Sequence, residues 1–233
     1  MLKIKQFRYA VDNLSYLVYG KSCALAIDGG APEKILSFIK NMGLNLVLVA
    51  NTHSHQDHTV GNRDLLDKTE SRLLMYSDLP ENGELDLEGH IIRIYRTPGH
   101  SHDSICFHLH NILITGDTFF NGTIGNCFTG DIKSFYHSIK SIMGLPSNTV
   151  IYAGHDYLKD AMSFAGHLEP DNGDIDLFLR KYNPEHVFSI LEEERKVNPY
   201  VRFNDEKIIT LLRKMGLPGE TEWERWQSLM RLE

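Results

Sequence analysis

This sequence of 233 residues lacks a long apolar run, a set of paired cysteines and a concentration of basic side chains. No apolar stretch approaches the roughly 20 residues that a membrane-spanning helix needs, and residues 1–5 lack the apolar core of a secretory signal. The 24 Lys and Arg residues form no patch and are outnumbered by 31 Asp and Glu, which argues against a nucleic-acid partner. We therefore expect a cytoplasmic protein that binds neither membrane nor nucleic acid.

The cysteine pattern excludes two further classes of site. Cys23, Cys106 and Cys127 are widely spaced and odd in number, so they predict neither a disulfide framework nor a CxxC metal site. Each is expected to be a small buried or half-buried side chain. The chain is long enough for one domain with a sizeable appendage, and it contains no internal repeat or low-complexity tract.

Histidine is what the sequence does have, and three of its 12 histidines fall with an aspartate in Thr52–His58, which reads THSHQDH. This segment directly follows the apolar run Leu46–Ala50, which is typical of a strand buried on both faces. Open sheets place their sites just past the carboxyl ends of such strands. Because a structural histidine normally stands alone with one partner, a cluster of imidazoles and a carboxylate predicts a site for zinc, manganese or iron.

Strand and helix patterns alternate before the chain becomes helical. Strands are predicted at Asn13–Tyr19, Ala24–Ile27, Ile91–Tyr95, Ile105–Leu109, Ile112–Thr115 and Val150–Ala153, and helices begin at Pro32 and, after the capping residue Asp131, at Ile132. From Tyr157 onward strand signals stop and prolines punctuate charged helical patterns. We therefore expect a helical region over residues 157–233.

Three later strand ends offer further metal ligands. His100 ends the run TPGH, Asp117 follows Gly116, and His155 follows Gly154, each within a few residues of a predicted strand end. A catalytic metal draws its ligands from several segments, and an adjacent glycine lets the backbone approach closely.

The motifs THSHQDH, TPGH, TGDT and AGHD, in this order, resemble the signature of the metallo-β-lactamase superfamily of binuclear metal hydrolases. The resemblance implies an α+β fold, an αββα sandwich, with residues 1–156 as the metal-binding catalytic domain. The C-terminal helical region, residues 157–233, would then bind substrate. By motif position, one metal would be held by His53, His55 and His100, the second by Asp57, His58 and His155, and Asp117 would bridge both.

The later segments resemble glyoxalase II, the hydroxyacylglutathione hydrolase family. The resemblance rests above all on Leu191–Arg195, which reads LEEER, and on Asn198–Arg202, which reads NPYVR. It implies hydrolysis of S-D-lactoylglutathione to D-lactate and glutathione, with a hydroxide shared by two divalent metals attacking the thioester carbonyl. Zinc is the metal we expect first, with iron or manganese as alternatives. Asp57 would be a ligand that also orients the hydroxide.

The residues expected to contact the thiol depart from the family pattern. Tyr157 keeps its expected identity, but Asn126 and Phe128 stand where a Lys or Arg followed by aromatic residues is usual. Ala161 replaces a frequent Asn, and Glu222–Trp226 supplies one Arg where basic anchors are expected. An amide in place of a cation loses the charge-assisted contact to a glutathione carboxylate. Tyr157, Phe128 and Asn126 are the candidate substrate contacts, and the thiol, the acyl group and the oligomeric state stay open.

Two other activities stay open at this point. One is a mononuclear iron persulfide dioxygenase, which uses two histidines and one carboxylate, and the other is hydrolysis of a non-glutathione thioester or a lactone. The LEEER and NPYVR segments favour the thioesterase branch over the dioxygenase. A non-catalytic module is disfavoured, because seven ligands for two metals leave positions for water. His102 is either a residue that orients a ligand or a solvated one.

Overall fold

Two β-sheets lie face to face, and helices cover the outer side of each. The computed structural model describes residues 1–80 and 83–232. The first sheet is built, in spatial order, from β1 Lys3–Tyr9, β2 Asn13–Tyr19, β3 Cys23–Ile27, β4 Asn45–Ala50 and β5 Arg72–Leu74. Neighbours are antiparallel from β1 to β3 and parallel from β3 to β5.

The second sheet faces the first and has one parallel pair. The remaining strands in chain order are β6 Glu84–Leu87, β7 His90–Arg96, β8 Ile105–Leu109, β9 Ile112–Gly116, β10 Phe119–Phe120, β11 Thr123–Ile124, β12 Val150–Ala153 and β13 Ser189–Ile190. The spatial order is β13-β12-β9-β8-β7-β6, with β12 parallel to β9 and the other neighbours antiparallel. Strands β10 and β11 pair with each other as a separate antiparallel hairpin, whose connection is called the β10–β11 turn below.

The helices are α1 Pro32–Met42, α2 Gln56–Thr59, α3 Asn62–Lys68, α4 Ile132–Met143, α5 Leu158–Leu168, α6 Gly173–Arg180, α7 Leu191–Val197, α8 Glu206–Lys214 and α9 Glu222–Leu229, with 3-10 turns at Tyr76–Asp78 and Pro199–Val201. Helix α1 begins at Pro32, and Gly43 directly after it takes the left-handed conformation with φ of 66°. Asp131 caps α4 by accepting a hydrogen bond from the Ser134 amide at 2.9 Å. None of the helices in the described residues combines the length and apolar composition needed to cross a membrane.

Side-chain alternation separates an inner core from two outer ones. In β2, Tyr16 and Val18 face the second sheet, whereas Leu17 faces the outer layer that contains Ile35 of α1. Strand β4 contributes side chains to the inner core and to the outer core that contains α1, as its continuous apolar run predicts. The expected αββα sandwich with C-terminal helices is therefore confirmed.

The C-terminal helices share a core with the second sheet. Trp226 of α9 and Phe203 are fully buried with Phe135 of α4 and with Ile151 of β12. The boundary at residue 157 stays a prediction, and the last residue of that region, Glu233, lies outside the described residues.

The predicted strands and helices are all present, but several short or edge strands were missed. Strand β13 contradicts the expectation that strand signals stop at Tyr157, because Ser189 and Ile190 pair with the free edge of β12. Two residues are too few to show alternation, so the pairing depends on the neighbouring strand. The expected burial of the cysteines is confirmed, with Cys106 buried and Cys23 and Cys127 half-buried.

Candidate metal centre

The seven predicted ligands all lie at one edge of the sandwich, where strand ends meet loops. His53 and His55 follow β4, and Asp57 and His58 lie on α2, which begins just after His55. The other three follow strand ends of the second sheet: His100 after β7, Asp117 after β9 and His155 after β12. The sequence motifs are therefore brought together by parallel β9 and β12 and by the packing of the two sheets.

The first group contains three imidazoles that face one another. His55 Nδ1 lies 2.9 Å from His53 Nε2 and 3.0 Å from His100 Nε2. His53 and His100 are buried, and His55 is half-buried. One nitrogen of each ring therefore points to a common position, as three ligands of one metal do.

The second group combines two imidazoles with a carboxylate. His58 Nε2 lies 3.2 Å from His155 Nε2, and Asp57 Oδ2 lies 3.2 Å from His155 Nε2 and 3.6 Å from His58 Nε2. The Asp57 side chain is 49% exposed, so this group faces solvent on one side.

Asp117 lies between the two groups. Its Oδ2 is 3.6 Å from His100 Nε2, 4.0 Å from His53 Nε2 and 3.4 Å from His155 Nε2. Its buried Oδ1 faces the second group, with His58 Nε2 at 3.3 Å. Space for this carboxylate depends on Gly154, because a Cβ there would lie 2.1 Å from Asp117 Oδ1.

Hydrogen bonds behind the rings fix which nitrogen faces the centre. His58 Nδ1 lies 3.0 Å from Asp28 Oδ2 and His155 Nδ1 lies 3.0 Å from Asp12 Oδ1. His100 Nδ1 lies 3.0 Å from the carbonyl oxygen of Asn126. Since carboxylate and carbonyl oxygens only accept, each Nδ1 donates and each Nε2 faces the centre.

The electrostatics differ between the two groups. Burial together with the charge of His58 lowers the pKa of His53 to about 4, and burial lowers that of His100. Burial would also lower the pKa of His58, but the charge of Asp28 and hydrogen bonds to Asp117 and Asp28 raise it to about 11. Burial would lower the pKa of His155 as well, but its hydrogen bond to Asp117 and the charge of Asp117 raise it. The second group thus stands in a more negative environment.

The residues present fit divalent metal ions. Lone-pair nitrogens that converge at about 3 Å repel one another unless a cation lies between them, and the Asp117 oxygens are placed to balance its charge. Borderline metals such as zinc prefer this mixture of imidazole and carboxylate donors.

Sequence reasoning missed the residues that hold the ligands. Asp28 is fully buried and accepts hydrogen bonds from the Thr52 amide and the Thr52 hydroxyl, both at 2.7 Å, as well as from His58. Asn13 Nδ2 lies 3.0 Å from Asp57 Oδ2, and the Tyr9 hydroxyl donates to the Asp57 carbonyl at 2.8 Å. Asp28 opens the segment Asp28–Gly30 after β3 and has φ of 52°, which is strained for a residue with a side chain. The sequence signal that could have identified Asp28 was its position as a polar residue at the end of β3.

The predicted substrate contacts are near the centre. The Tyr157 ring stacks on His155 with centroids 5.0 Å apart and an interplanar angle of 6°. Phe128, which is 68% exposed, lies 5.1 Å from the His100 ring, edge to face. The Asn126 side chain is exposed, and its backbone carbonyl is the acceptor for His100. His102 is also exposed.

Two C-terminal residues at positions that depart from the family pattern make contacts within the C-terminal region. Ala161 is buried in the core of α5, α6 and α7. Arg225 donates to the carbonyl oxygens of Gly219 and Glu220 and to Asn204 Oδ1, so its guanidinium is engaged within the C-terminal region.

The chain is similar to known proteins over most of its length. The profile of the metallo-beta-lactamase superfamily matches residues 70–155. A hydroxyacylglutathione hydrolase from Prochlorococcus marinus is 30% identical over 229 residues, which cover 87% of this chain and 90% of that protein. Another from Pelagibacter ubique is 29% identical and covers 92% of this chain and 98% of its own length.

A solved structure supports the fold. The crystal structure of ETHE1 from Myxococcus xanthus aligns with a TM-score of 0.68 at 20% identity, covering 98% of each chain. Similarity at that level of identity concerns the fold alone. The sequence relatives carry the further conclusion, together with His and Asp clusters whose geometry fits divalent metal ions. The chain belongs to the hydroxyacylglutathione hydrolase family of the metallo-β-lactamase superfamily and is a metal-dependent hydrolase.

Proposed function

We propose that this protein hydrolyses S-(2-hydroxyacyl)glutathione thioesters with two divalent metals. The observation that carries the proposal is the convergence of seven ligand side chains in two groups that share Asp117. The names of the relatives, hydroxyacylglutathione hydrolases, support the substrate class.

We assign the first metal to His53, His55 and His100, the second to Asp57, His58 and His155, and the bridge to Asp117. Zinc is our first choice, with iron or manganese as alternatives, since this donor set accepts all three. When bound, such a pair of metals activates water near neutral pH and polarises the carbonyl that is attacked. Asp12, Asp28 and Asn126 hold the rings so that their free nitrogens stay directed at the centre.

Asp57 has a second task in this proposal. Its carboxylate is half exposed and is held by Asn13, so it faces both the ligand histidines and solvent. That position lets it accept a hydrogen bond from the attacking water and so orient it. Asp57 is thus a ligand that also positions the nucleophile.

The thiol half of the substrate lies against Tyr157 and Phe128 in this proposal. Both rings border the ligand histidines, and Tyr157 is the first residue of the proposed substrate-binding region, residues 157–233. Asn126 lies beside Phe128 and supplies an exposed amide where a cation would bind a glutathione carboxylate more strongly. We place the activity in the cytoplasm, whose reducing conditions suit three free cysteines.

The test combines metal content with substrate profiling. Purified protein is analysed for zinc, iron and manganese, and kcat/KM is measured for lactoylglutathione and for the lactoyl thioester of a second thiol. We expect two metals per chain and faster hydrolysis of the glutathione thioester. One iron per chain with oxygen consumption on a persulfide would establish the dioxygenase instead, and equal rates with both thiols would remove glutathione from the proposal.

A matched pair of variants tests the second metal. Asp57→Ala should lower both metal content and kcat/KM, whereas Asp67→Ala, a surface aspartate on α3 with a 66% exposed side chain, should leave both unchanged. Full activity in Asp57→Ala would refute the two-metal mechanism.

A further inference from the structure

A cavity of about 330 Å³ lies beside the first ligand group at the carboxyl ends of β4 and β5. We propose that this acyl cavity binds the acyl chain of the thioester and that it selects uncharged chains longer than lactoyl. The inference rests on the proposed thioester hydrolysis and adds the specificity of its acyl half.

The cavity adjoins the metal centre directly. His53 and Ser54 form one wall, and His53 is also a ligand of the first group. Strand β5 runs parallel to β4, so Met75 and Tyr76, which follow β5, reach the same edge of the sheet as the ligand loop. The cavity therefore lies beside the position at which a carbonyl would be held by the first group, and the acyl chain extends toward it in this proposal.

The acyl cavity and the proposed thiol contacts lie on different sides of the metal centre. Tyr157 stacks on His155, and Phe128 borders His55 and His100, whereas none of these five residues lines the cavity. A thioester carbonyl joins an acyl half to a thiol half that extend in different directions. If the thiol half lies against Tyr157 and Phe128, the His53 side is left for the acyl half.

The lining indicates what kind of acyl group fits. Leu73, Leu74 and Met75 supply apolar surface, and Tyr76 supplies a hydroxyl group that can bond an acyl hydroxyl. The Asp103 carboxylate also lines the cavity and accepts a hydrogen bond from the Ser101 hydroxyl at 2.6 Å. Its negative charge disfavours a chain that ends in a carboxylate.

A pair of amides makes one wall rigid and connects it to the ligand helix. Asn62 Nδ2 donates to Asn51 Oδ1 at 2.7 Å, and Asn51 Nδ2 donates to the carbonyl of His58 at 2.7 Å. Both amides line the cavity. The shape of the cavity is therefore fixed by the same contacts that hold the ligand loop.

The volume sets the length of the chain. At the roughly 30 Å³ that one water molecule occupies in the liquid, the cavity has room for about ten non-hydrogen atoms. A lactoyl group fills about half of that or less. Chains of about six carbons would use the remaining apolar surface, and each buried methylene should raise kcat/KM about two- to fourfold.

The experiment measures kcat/KM of the metal-loaded enzyme for acetyl, lactoyl, butyryl, hexanoyl and glutaryl thioesters of glutathione. We expect the hexanoyl ester to exceed the acetyl ester by about tenfold or more, and the glutaryl ester to be the poorest of the longer chains. Met75→Trp should lower the hexanoyl-to-acetyl ratio about tenfold by filling the cavity. Tyr76→Ala removes a wall at a 37% exposed position and should lower the same ratio about threefold.

Met42→Trp is the matched control. Met42 is 51% exposed on α1 and Met75 is 53% exposed, so both positions tolerate a larger side chain, but Met42 lies outside the cavity. The control should keep the wild-type ratio. Hydrolysis with a flat chain-length profile, or equal profiles for Met75→Trp and Met42→Trp, would overturn the acyl cavity alone. Failure to cleave any of these thioesters would overturn the proposed function and this assignment with it.

Discussion

The metal centre and the contact between α7 and the β10–β11 turn both bury a carboxylate, but with opposite kinds of partner. Asp117 at the centre lies within 4.0 Å of four imidazole rings. Glu194 on α7 is fully buried and accepts hydrogen bonds from the Gly122 amide at 3.0 Å and from Asn198 Nδ2 at 2.9 Å. Neither the amide of a backbone nor that of an asparagine carries charge.

The pKa values of Asp117 and Glu194 differ because their hydrogen-bond partners differ. Burial alone would raise the pKa of Asp117, but hydrogen bonds from His155 and His58 and the charge of both rings hold it well below its usual range. Burial raises the pKa of Glu194 to about 7, because the hydrogen bonds from Ser189, Asn198 and Gly122 offset only part of the desolvation. A buried carboxylate therefore becomes a permanent anion among imidazoles and a group that titrates near neutrality among amides.

The two positions also differ in what they do. Asp117 is placed to bind cations, whereas Glu194 secures the turn that carries Phe120. The Phe120 ring packs edge to face against Tyr157 and His155, at 5.0 Å and 6.0 Å. The LEEER segment therefore supports one wall of the metal centre from behind.

Asp117→Asn should have the largest effect, because it removes the charge that both ligand groups share. We expect kcat/KM for thioester hydrolysis to fall on the order of a thousandfold and metal content to drop below two per chain. The measurement is elemental analysis together with steady-state kinetics. Asp131→Asn, at the exposed cap of α4, is the control and should keep both metals; a fully loaded, active Asp117→Asn would contradict the bridging role.

Glu194→Gln tests whether the uncharged surroundings of Glu194 raise the pKa of its carboxyl group. The usual pKa of 4.5 applies to unfolded Glu194 and about 7 to the folded state, so its stabilising contribution is complete below about pH 4.5 and is lost as pH rises to about 7. The loss is about 3 kcal/mol of unfolding free energy. In metal-free protein, urea unfolding from pH 4.5 to 7.5 should show a smaller decline in Glu194→Gln than in the wild type.

The control for that prediction lies on the same helix. Glu192 has a 65% exposed side chain, so Glu192→Gln should follow the wild-type pH profile. If Glu194→Gln and wild type lost stability in parallel over this range, Glu194 would have an ordinary pKa in the folded protein.

Asp12→Asn examines an intermediate case, a partly exposed carboxylate that supports one ligand. Its Oδ1 accepts from His155 Nδ1 at 3.0 Å, and removing the charge weakens the orientation and basicity of that ring. We expect the metal of the Asp57, His58 and His155 group to bind about 10- to 100-fold more weakly. Competition with a chromophoric chelator gives both metal affinities, and Asp67→Asn serves as the surface control. Equal weakening of both metals would show a general structural defect instead.

Sequence alone could predict the candidate ligands but not the residues that support them. The convergence of the candidate ligands was predictable because His53 to His58 are close in sequence and because His100, Asp117 and His155 each follow a strand end. Their supports were not, because Asp12 lies 143 residues from His155, and Asp28 lies 30 residues from His58. The antiparallel bridge between Asn13 and His155 brings Asp12 to its partner.

Edge strands were missed for a related reason. Strand β1 is rich in charged residues and only part of it is buried, so its alternation is weak. The strand is nonetheless important for the site, since it ends at Tyr9. The helical pattern after Tyr157 was readable from local periodicity, whereas β13 depends on the edge of β12 and has no local signal.

Tyr9→Phe should have the smallest effect, because it removes one neutral hydrogen bond without adding or removing charge. The hydroxyl donates to the Asp57 carbonyl and so holds the backbone of the ligand helix, and such a bond contributes about 1 kcal/mol. We expect kcat/KM to fall about fivefold, with both metals retained. Tyr19→Phe, whose ring packs on Phe38 instead, is the matched control and should change neither quantity. If Tyr9→Phe lost a metal, the neutral hydrogen bond would matter as much as the Asp12 carboxylate, and charge would no longer be what distinguishes the supports of this centre.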